Sequence, residues 1–231
     1  MFYEKKPMQG RWLMTQSEIR ALANVWKFDG TKCMQTFHDI SKIEHPHKGG
    51  LTHCIENKGV GKKYAIWFDE VMSNWVDMPS LVNQSKPMPH RIDACYVKDE
   101  NIYLIEFKAD GDWERHKDVY WAKFHDCFAQ LLDRDILTIQ DAQARLFYIV
   151  VSSTRIQYSE KDLSEAVSDN DKARMMLSII NPMEDYMQRP WKYSEILPKA
   201  GLRQLTAFSC KAVYTLDRMQ FERYANEAQW S

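Results

Sequence analysis

The pattern of apolar and polar residues along the chain predicts a series of helices separated by short strands. A first helix is predicted to begin after the capping box of Thr15 and Glu18 and to end at Asp29-Gly30. Apolar residues at helical spacing predict further helices over residues 34–43, 64–76, 113–134, 162–180 and 218–228. Between the helices predicted over residues 34–43 and 64–76, glycines and basic residues predict a loop over residues 45–63.

Two apolar segments and one hairpin account for the predicted strands. Residues 146–151 are apolar without interruption, which is typical of a central strand buried on both faces and predicts a strand over residues 144–152. Residues 205–216 predict another strand. This order of elements predicts an α/β fold with a mixed central β-sheet flanked by helices. We expect residues 1–63 to form a helical and loop extension packed on a core of residues 64–231.

Residues 91–108 predict a β-hairpin whose register can be counted from the sequence. β-branched and aromatic residues fill two arms on either side of a polar turn at residues 98–101. If the arms close symmetrically about this turn, Asp93 faces Glu106 with Cβ atoms about 5 Å apart. The strand period of two then places Lys108 on the same face as Glu106.

This register predicts a site for a divalent cation. Two carboxylates that face each other in an apolar sheet repel and are costly to desolvate. Mg²⁺ or Mn²⁺ bound by Asp93 and Glu106 would remove that cost, and the backbone carbonyl of Phe107 could supply a third oxygen ligand. Such a cation activates water and stabilises charge on a phosphoryl oxygen, and Lys108 could orient that water. An ordinary cross-strand ion pair is the alternative interpretation.

The motif formed by Asp93 and the segment Glu106-Phe107-Lys108 resembles that of the PD-(D/E)XK nuclease superfamily. This family includes restriction endonucleases and Holliday-junction resolvases. The hairpin, the long helix and the buried strand follow one another in the order that the family shows. The resemblance implies a restriction-endonuclease-like core, with Asp93 and Glu106 as metal ligands and Lys108 as the catalytic lysine.

The resemblance covers residues 64–152, and it implies further site residues within this range. Ile92 stands where the motif often has proline, a difference that does not touch a ligand. Many members add an acidic residue from the preceding helix, for which Glu70 is the candidate, and a polar residue from the following helix, for which Lys123 and Gln130 are candidates. The resemblance implies a nuclease that hydrolyses phosphodiester bonds of nucleic acid, with DNA favoured over RNA, and leaves a homodimer open. The alternative is a catalytically inactive nucleic-acid-binding or regulatory protein with this fold.

Charge and composition are consistent with this interpretation. Residues 1–63 carry a net charge of +5 and the remainder carries −6. A basic end beside an acidic body suits phosphates on one side and a cation on the other, although ordinary surface variation would give the same numbers. The sequence shows no leader and no apolar run of membrane-spanning length, so we expect no membrane partner. Five cysteines, an odd number, predict reduced thiols and a cytoplasmic protein.

The segment 33–54 contains a second group of residues that could bind a metal. Six side chains of the types that bind zinc lie in it: Cys33, His38, His45, His47, His53 and Cys54. Their spacing matches no closed zinc finger, and the paired Cys-x-x-Cys knuckle is missing. A zinc-stabilised interaction module and a set of unrelated histidines and cysteines therefore both remain open.

Overall fold

The computed structural model describes residues 15–45, 50–76, 89–110, 112–113, 115–156 and 198–227. The strands in these residues are β1 (Met34–Thr36), β2 (Lys42–His45), β3 (Gly50–His53), β4 (Tyr64–Trp67), β5 (Ala94–Lys98), β6 (Asn101–Lys108), β7 (Leu146–Ser152) and β8 (Ala212–Asp217). The helices are α1 (Gln16–Trp26), α2 (Phe37–Ile40), α3 (Phe68–Val76), α4 (Lys117–Asp133), α5 (Ile139–Arg145) and α6 (Arg218–Glu227). Short 3-10 helices occupy Gly59–Lys62 and Leu202–Ala207.

Six of these strands form one mixed open sheet in the order β1-β4-β5-β6-β7-β8. The first four are antiparallel to their neighbours, whereas β6, β7 and β8 are parallel. Strands β2 and β3 form a separate antiparallel pair. The predicted α/β class with a mixed sheet flanked by helices is thus confirmed. The carboxyl ends of the three parallel strands lie at one edge of the sheet, which is where ligands bind in open α/β sheets.

The hairpin has the register counted from the sequence. Its ladder runs from Ala94↔Ile105 to Lys98↔Asn101. Asp99 and Glu100 connect the arms with φ angles of 46° and 68°. Two central residues with positive φ are the signature of a type I′ turn, whose twist matches that of the flanking strands. The turn therefore fixes the register, and the register positions the acidic residues at the other end of the hairpin.

The two faces of the sheet are covered by different helices. On one face, Phe124 of α4 packs on Tyr148 of β7 with ring centroids 5.1 Å apart. On the other face, Phe221 of α6 contacts Phe107 of β6 at 6.1 Å. Because side chains alternate along a strand, Glu106 points to the opposite face from Phe107 and lies under α4.

The prediction of a helix over residues 34–43 was wrong. The segment contains β1, the one-turn helix α2 and the beginning of β2. Strand β1 forms by pairing with β4, from Met34↔Ile66 to Thr36↔Tyr64. Thr36 then starts the short helix, because its side chain accepts a hydrogen bond from the backbone N–H of Asp39 at 3.2 Å. Long-range pairing therefore overrides the local helical spacing.

Three other predicted segments also differ from the structure. Residues 64–76 were predicted as one helix but form β4 followed by α3. The predicted loop over residues 45–63 contains β3 and the helix Gly59–Lys62, and residues 205–216 contain strand only from Ala212. Short apolar runs fit both helix and strand, so periodicity alone does not separate them. The helix predicted over residues 162–180 lies outside the described residues.

The predicted N-terminal extension takes part in the main core. Strand β1 is an edge strand of the central sheet. Ile19 and Trp26 of α1 belong to the same apolar cluster as β5, β6 and β7. The boundary between residues 63 and 64 stays a prediction, but residues before it complete the sheet. Among the described helices, none has the length and apolarity required to cross a membrane.

Candidate active site

Glu106 is fully buried near the carboxyl end of β6, where two lysines pair with it. Its Oε1 atom lies 2.7 Å from the Nζ atom of Lys108 and 2.7 Å from that of Lys123. Lys123 also donates to Oε2 at 2.9 Å. Lys108 comes from the same strand and Lys123 from α4, and both amines are largely buried. A buried carboxylate without such partners would be strongly destabilising, so the two lysines supply the charge and the hydrogen bonds that compensate for the burial of Glu106.

Asp93 lies immediately before β5 and binds the neighbouring strand through its side chain. Its Oδ2 atom accepts a hydrogen bond from the backbone N–H of Phe107 at 2.7 Å, so the carboxylate continues the ladder where the β5 backbone ends. Its Oδ1 atom lies 3.6 Å from the Nζ atom of Lys123. Burial and the nearby charge of Glu106 raise the pKa of Asp93 to about 7, against the opposing effect of Lys123. The two carboxylates therefore meet at one amine.

The backbone carbonyl of Phe107 faces the β5 side of its strand. The carbonyl of Lys108 accepts from the N–H of Ser153 at 2.8 Å, on the β7 side of the strand. Successive residues of a strand direct their backbone groups to opposite sides, and the N–H and C=O of one residue point the same way. The N–H of Phe107 meets Asp93, so its carbonyl oxygen faces the same side, past the end of β5.

The donor set suits a hard divalent cation, although an amine lies between its members. Within the described ranges, no group of three or more His, Cys, Asp or Glu side chains is arranged to hold a metal ion. Asp93, Glu106 and the Phe107 carbonyl instead provide a set of oxygen ligands, as Mg²⁺ and Mn²⁺ prefer. The pKa of Asp93 is raised mainly by burial and next by the charge of Glu106, and a cation bound between the two carboxylates would favour the ionised form of Asp93. A cation that binds both carboxylates must compete with the Lys123 amine.

The acidic residue that α3 brings to this region is Asp69. Glu70, the residue proposed from the sequence, lies close enough to Cys33 for its charge to help raise the pKa of that thiol. Asp69 instead lines a cavity together with Asp93 and pairs with Arg91, whose Nε atom lies 2.8 Å from Oδ1. Asp69 was not among the residues proposed from the sequence because β4 and α3 were predicted as one helix. A boundary at Phe68 would have placed both acidic residues in the first turn of α3.

Of the two candidates on α4, the structure places Lys123 at the carboxylates. Gln130 lies seven residues further, about 10 Å along the helix axis. Its Oε1 atom is buried and has no hydrogen-bond partner among the described residues. Lys123 and Gln130 lie on the same side of the helix, but of these two residues only Lys123 contacts the carboxylates.

The cavity beside Asp93 has a volume of about 780 Å³ and is lined by residues of several elements. Its lining includes His38, Lys42, His53, Trp67 and Asp69. The cavity places segments that precede the hairpin in sequence next to Asp93. A ligand could therefore reach the site from this side.

His38 and His53 of the segment 33–54 are not arranged to bind a common zinc ion. The rings of His38 and His53 stack with centroids 3.8 Å apart and an angle of 15° between their planes. A zinc ion lies close to the plane of each imidazole that binds it, about 2 Å from the nitrogen, so two stacked rings cannot share one ion. Cys54 donates its thiol to the Val151 carbonyl at 3.8 Å. His47 and the side chain of His45 lie outside the described part of the chain.

Comparisons of the chain with protein-family models, with curated proteins and with solved structures found no match. Function is therefore inferred from the geometry of the carboxylates, the lysines and the adjoining cavity.

Proposed function

We propose that the protein is a divalent-cation-dependent nuclease with a restriction-endonuclease-like core of the PD-(D/E)XK type. The observation that supports this proposal most strongly is the meeting of two carboxylates and two amines at the end of one hairpin. Asp93 and Glu106 lie within reach of one amine, that of Lys123, and Lys108 contacts Glu106 from the same strand. An ion pair with a purely structural role would not need a second carboxylate beside a buried one.

Asp93, Glu106 and the Phe107 carbonyl would hold Mg²⁺ or Mn²⁺. When bound, the cation supplies Lewis-acid activation of the phosphate and lowers the pKa of a water molecule. The backbone N–H of Phe107 holds Asp93 in place through its Oδ2 atom, which leaves Oδ1 facing the site. The first ligand is therefore preorganised by a backbone contact rather than by a flexible side chain.

Lys108 supplies the positive charge of the reaction. Its side chain is 20% exposed and its amine lies 2.7 Å from Glu106, so the amine can contact both the carboxylate and a bound phosphate. In this position the amine can hold the attacking water and stabilise negative charge on the phosphoryl oxygens. A phosphodiester of nucleic acid is the substrate that this arrangement suits, and DNA is the one we expect.

A second candidate function is cation-independent binding of nucleic acid without cleavage. The observation that favours it is the contact of Lys123 with both carboxylates, which partly balances their charge without a cation. In such a protein the lysines would have a structural role. The two candidates differ in whether added Mg²⁺ changes the fate of the nucleic acid.

Cleavage assays with labelled single-stranded and double-stranded DNA and RNA test the proposal. Wild type should cleave at least one substrate with Mg²⁺ or Mn²⁺ and none with EDTA. Glu106→Gln should abolish cleavage, and Lys108→Met should slow it by about 10²- to 10³-fold. Lys117→Met is the matched control, because Lys117 is an exposed lysine at the start of α4. Binding without cleavage under all conditions would favour the second candidate and reject the first.

A further inference from the structure

The cavity beside Asp93 has a composition that the hydrolysis of a phosphodiester does not by itself explain. Its volume of about 780 Å³ lies within the range of small-molecule pockets, about 300–1,000 Å³. Its lining includes two acidic residues, Asp69 and Asp93. It also includes the ring-bearing residues His38, His53 and Trp67. Flat rings therefore lie in the same cavity as one of the proposed metal ligands.

The two imidazoles are fixed in place by backbone carbonyls. The Nδ1 atom of His38 lies 2.7 Å from the carbonyl oxygen of Ile55, and that of His53 lies 2.7 Å from the carbonyl oxygen of His38. A carbonyl only accepts, so each Nδ1 carries the proton and donates it. These bonds and the 3.8 Å stacking hold both rings in one orientation. The pair forms a rigid aromatic surface rather than two independent side chains.

The charge of the cavity argues against a phosphate as the group that it holds. Asp39, Asp69 and Asp93 line it together with a single lysine, Lys42. From outside the lining, Arg91 pairs with Asp69 and Lys123 contacts Asp93, which leaves Asp39 against Lys42. A phosphate placed here would therefore find no excess of positive charge. A neutral planar group with amino hydrogens would instead find carboxylate acceptors at its edge and aromatic rings at its face.

We propose that this cavity binds an unpaired nucleobase of the substrate, next to the phosphate that is cleaved, by stacking on the His38–His53 pair. The inference rests on the proposed nuclease function and names its substrate more closely. A base within a duplex cannot enter a cavity, so the substrate is a single strand or a duplex with an unpaired or extruded nucleotide. Stacking of this kind changes affinity by about 5- to 150-fold per base.

The first test uses wild-type protein and a series of single-stranded DNA oligonucleotides. Each carries one abasic position, and binding is measured by fluorescence anisotropy in EDTA, where the proposed cleavage does not occur. One abasic position should weaken binding by about 5- to 150-fold. 2-Aminopurine at that position should be quenched on binding. Equal affinity for every abasic oligonucleotide would overturn the inference without any variant being made.

Paired substitutions then identify the surface that is used. The His38→Phe/His53→Phe protein keeps two stacking rings and should retain the sensitivity to the abasic position. The His38→Gln/His53→Gln protein keeps polar side chains without rings and should lose it. Retention in the Gln protein and loss in the Phe protein would show that polar atoms at these positions, rather than ring faces, bind the substrate, and stacking would be rejected. Thermal unfolding of each variant establishes that it is folded before it is compared.

The outcomes also separate this inference from the proposed function. If wild type cleaves DNA with Mg²⁺ but no abasic position changes its affinity, the nucleobase site is wrong and the nuclease proposal stands. If wild type neither cleaves nor binds any oligonucleotide, the proposed function fails and this inference fails with it. Cleavage together with one sensitive position and the expected order of the variants supports both.

Discussion

Replacing Lys123 with methionine tests whether its amine is the counter-ion of the carboxylate pair. Methionine keeps much of the apolar stem of the lysine but removes the charge. The substitution therefore leaves the buried Glu106 with Lys108 as its remaining cationic partner among the described contacts, and leaves Asp93 beside a like charge. We expect Lys123→Met to lower the free energy of unfolding in EDTA by about 3 kcal/mol.

The magnitude follows from the contacts of the amine. Lys123 contacts the two oxygens of Glu106 at 2.7 and 2.9 Å and Asp93 at 3.6 Å, and the Glu106 side chain is 0% exposed. Removing one member of a buried pair typically costs about 3–5 kcal/mol. We take the lower end because Lys108 still pairs with Oε1 of Glu106.

Urea unfolding followed by circular dichroism measures this effect, first in EDTA and then with Mg²⁺. Lys117→Met on the exposed side of α4 is the control and should change stability by less than about 0.5 kcal/mol. Mg²⁺ should stabilise Lys123→Met more than wild type, because no amine has to be displaced from between Asp93 and Glu106. At a concentration of 100 times its Kd, the cation adds about 2.7 kcal/mol.

Two results would refute this account of the site. Equal stability of wild type and Lys123→Met in EDTA would mean that the amine does not neutralise Glu106. A variant that Mg²⁺ stabilises no more than it stabilises wild type would mean that the amine and the cation do not compete. The first result concerns the ion pair and the second concerns the metal site, so each can fail separately.

Three further predictions concern Asp93, the hairpin turn and one glycine. The pKa of Asp93 is raised from 3.8 to about 7, so the folded protein holds this proton more tightly than the unfolded chain. The free energy of unfolding therefore falls as pH rises from about 4 to about 7. In EDTA, Asp93→Asn should remove this part of the pH dependence in urea unfolding, and an unchanged slope would contradict the raised pKa. Glu100 has a φ of 68°, which glycine adopts more easily, so Glu100→Gly should stabilise the hairpin by about 0.5–1 kcal/mol. The urea concentration at the midpoint of unfolding should rise, and a lower midpoint would argue against strain at this position. A Cβ at Gly61 would overlap the backbone carbonyl of Glu56, so Gly61→Ala should lower the free energy of unfolding by about 3 kcal/mol. Gly59 has a positive φ but open space around its Cα, so Gly59→Ala should lower it by about 1 kcal/mol. Equal losses in the two alanine variants would rule out the steric reason.

The hairpin was predictable because all the information that it needs is local. Turn residues, alternating side chains and the length of the arms lie within residues 91–108, and the type I′ turn leaves one register. The position of Lys108 relative to Glu106 follows from the strand period alone. The uninterrupted apolar run of β7 likewise requires only its own sequence to be identified as a buried strand.

The strands on the other side of the sheet could not be predicted in this way. Strand β1 has three residues, too few to show a period, and forms because β4 provides a partner. Because the apolar spacing of β4 also fits a helix, the sequence does not show where α3 begins, and Asp69 is not identified. Lys123 and Gln130 share a helical stripe, and only the packing of α4 over β6 shows which of them meets Glu106.

The five free cysteines give the protein its own set of reporters of local opening. All are buried, and burial raises the pKa of Cys33, Cys54 and Cys210 to about 12, so little reactive thiolate is present in the folded state. Cys95 in β5 and Cys127 in α4 have thiols whose pKa values burial also raises. A thiol reagent therefore modifies each cysteine only when the element around it opens. The order of modification would rank the hairpin, helix α4 and the segments next to β1, β3 and β8 by their resistance to opening. No label would have to be introduced.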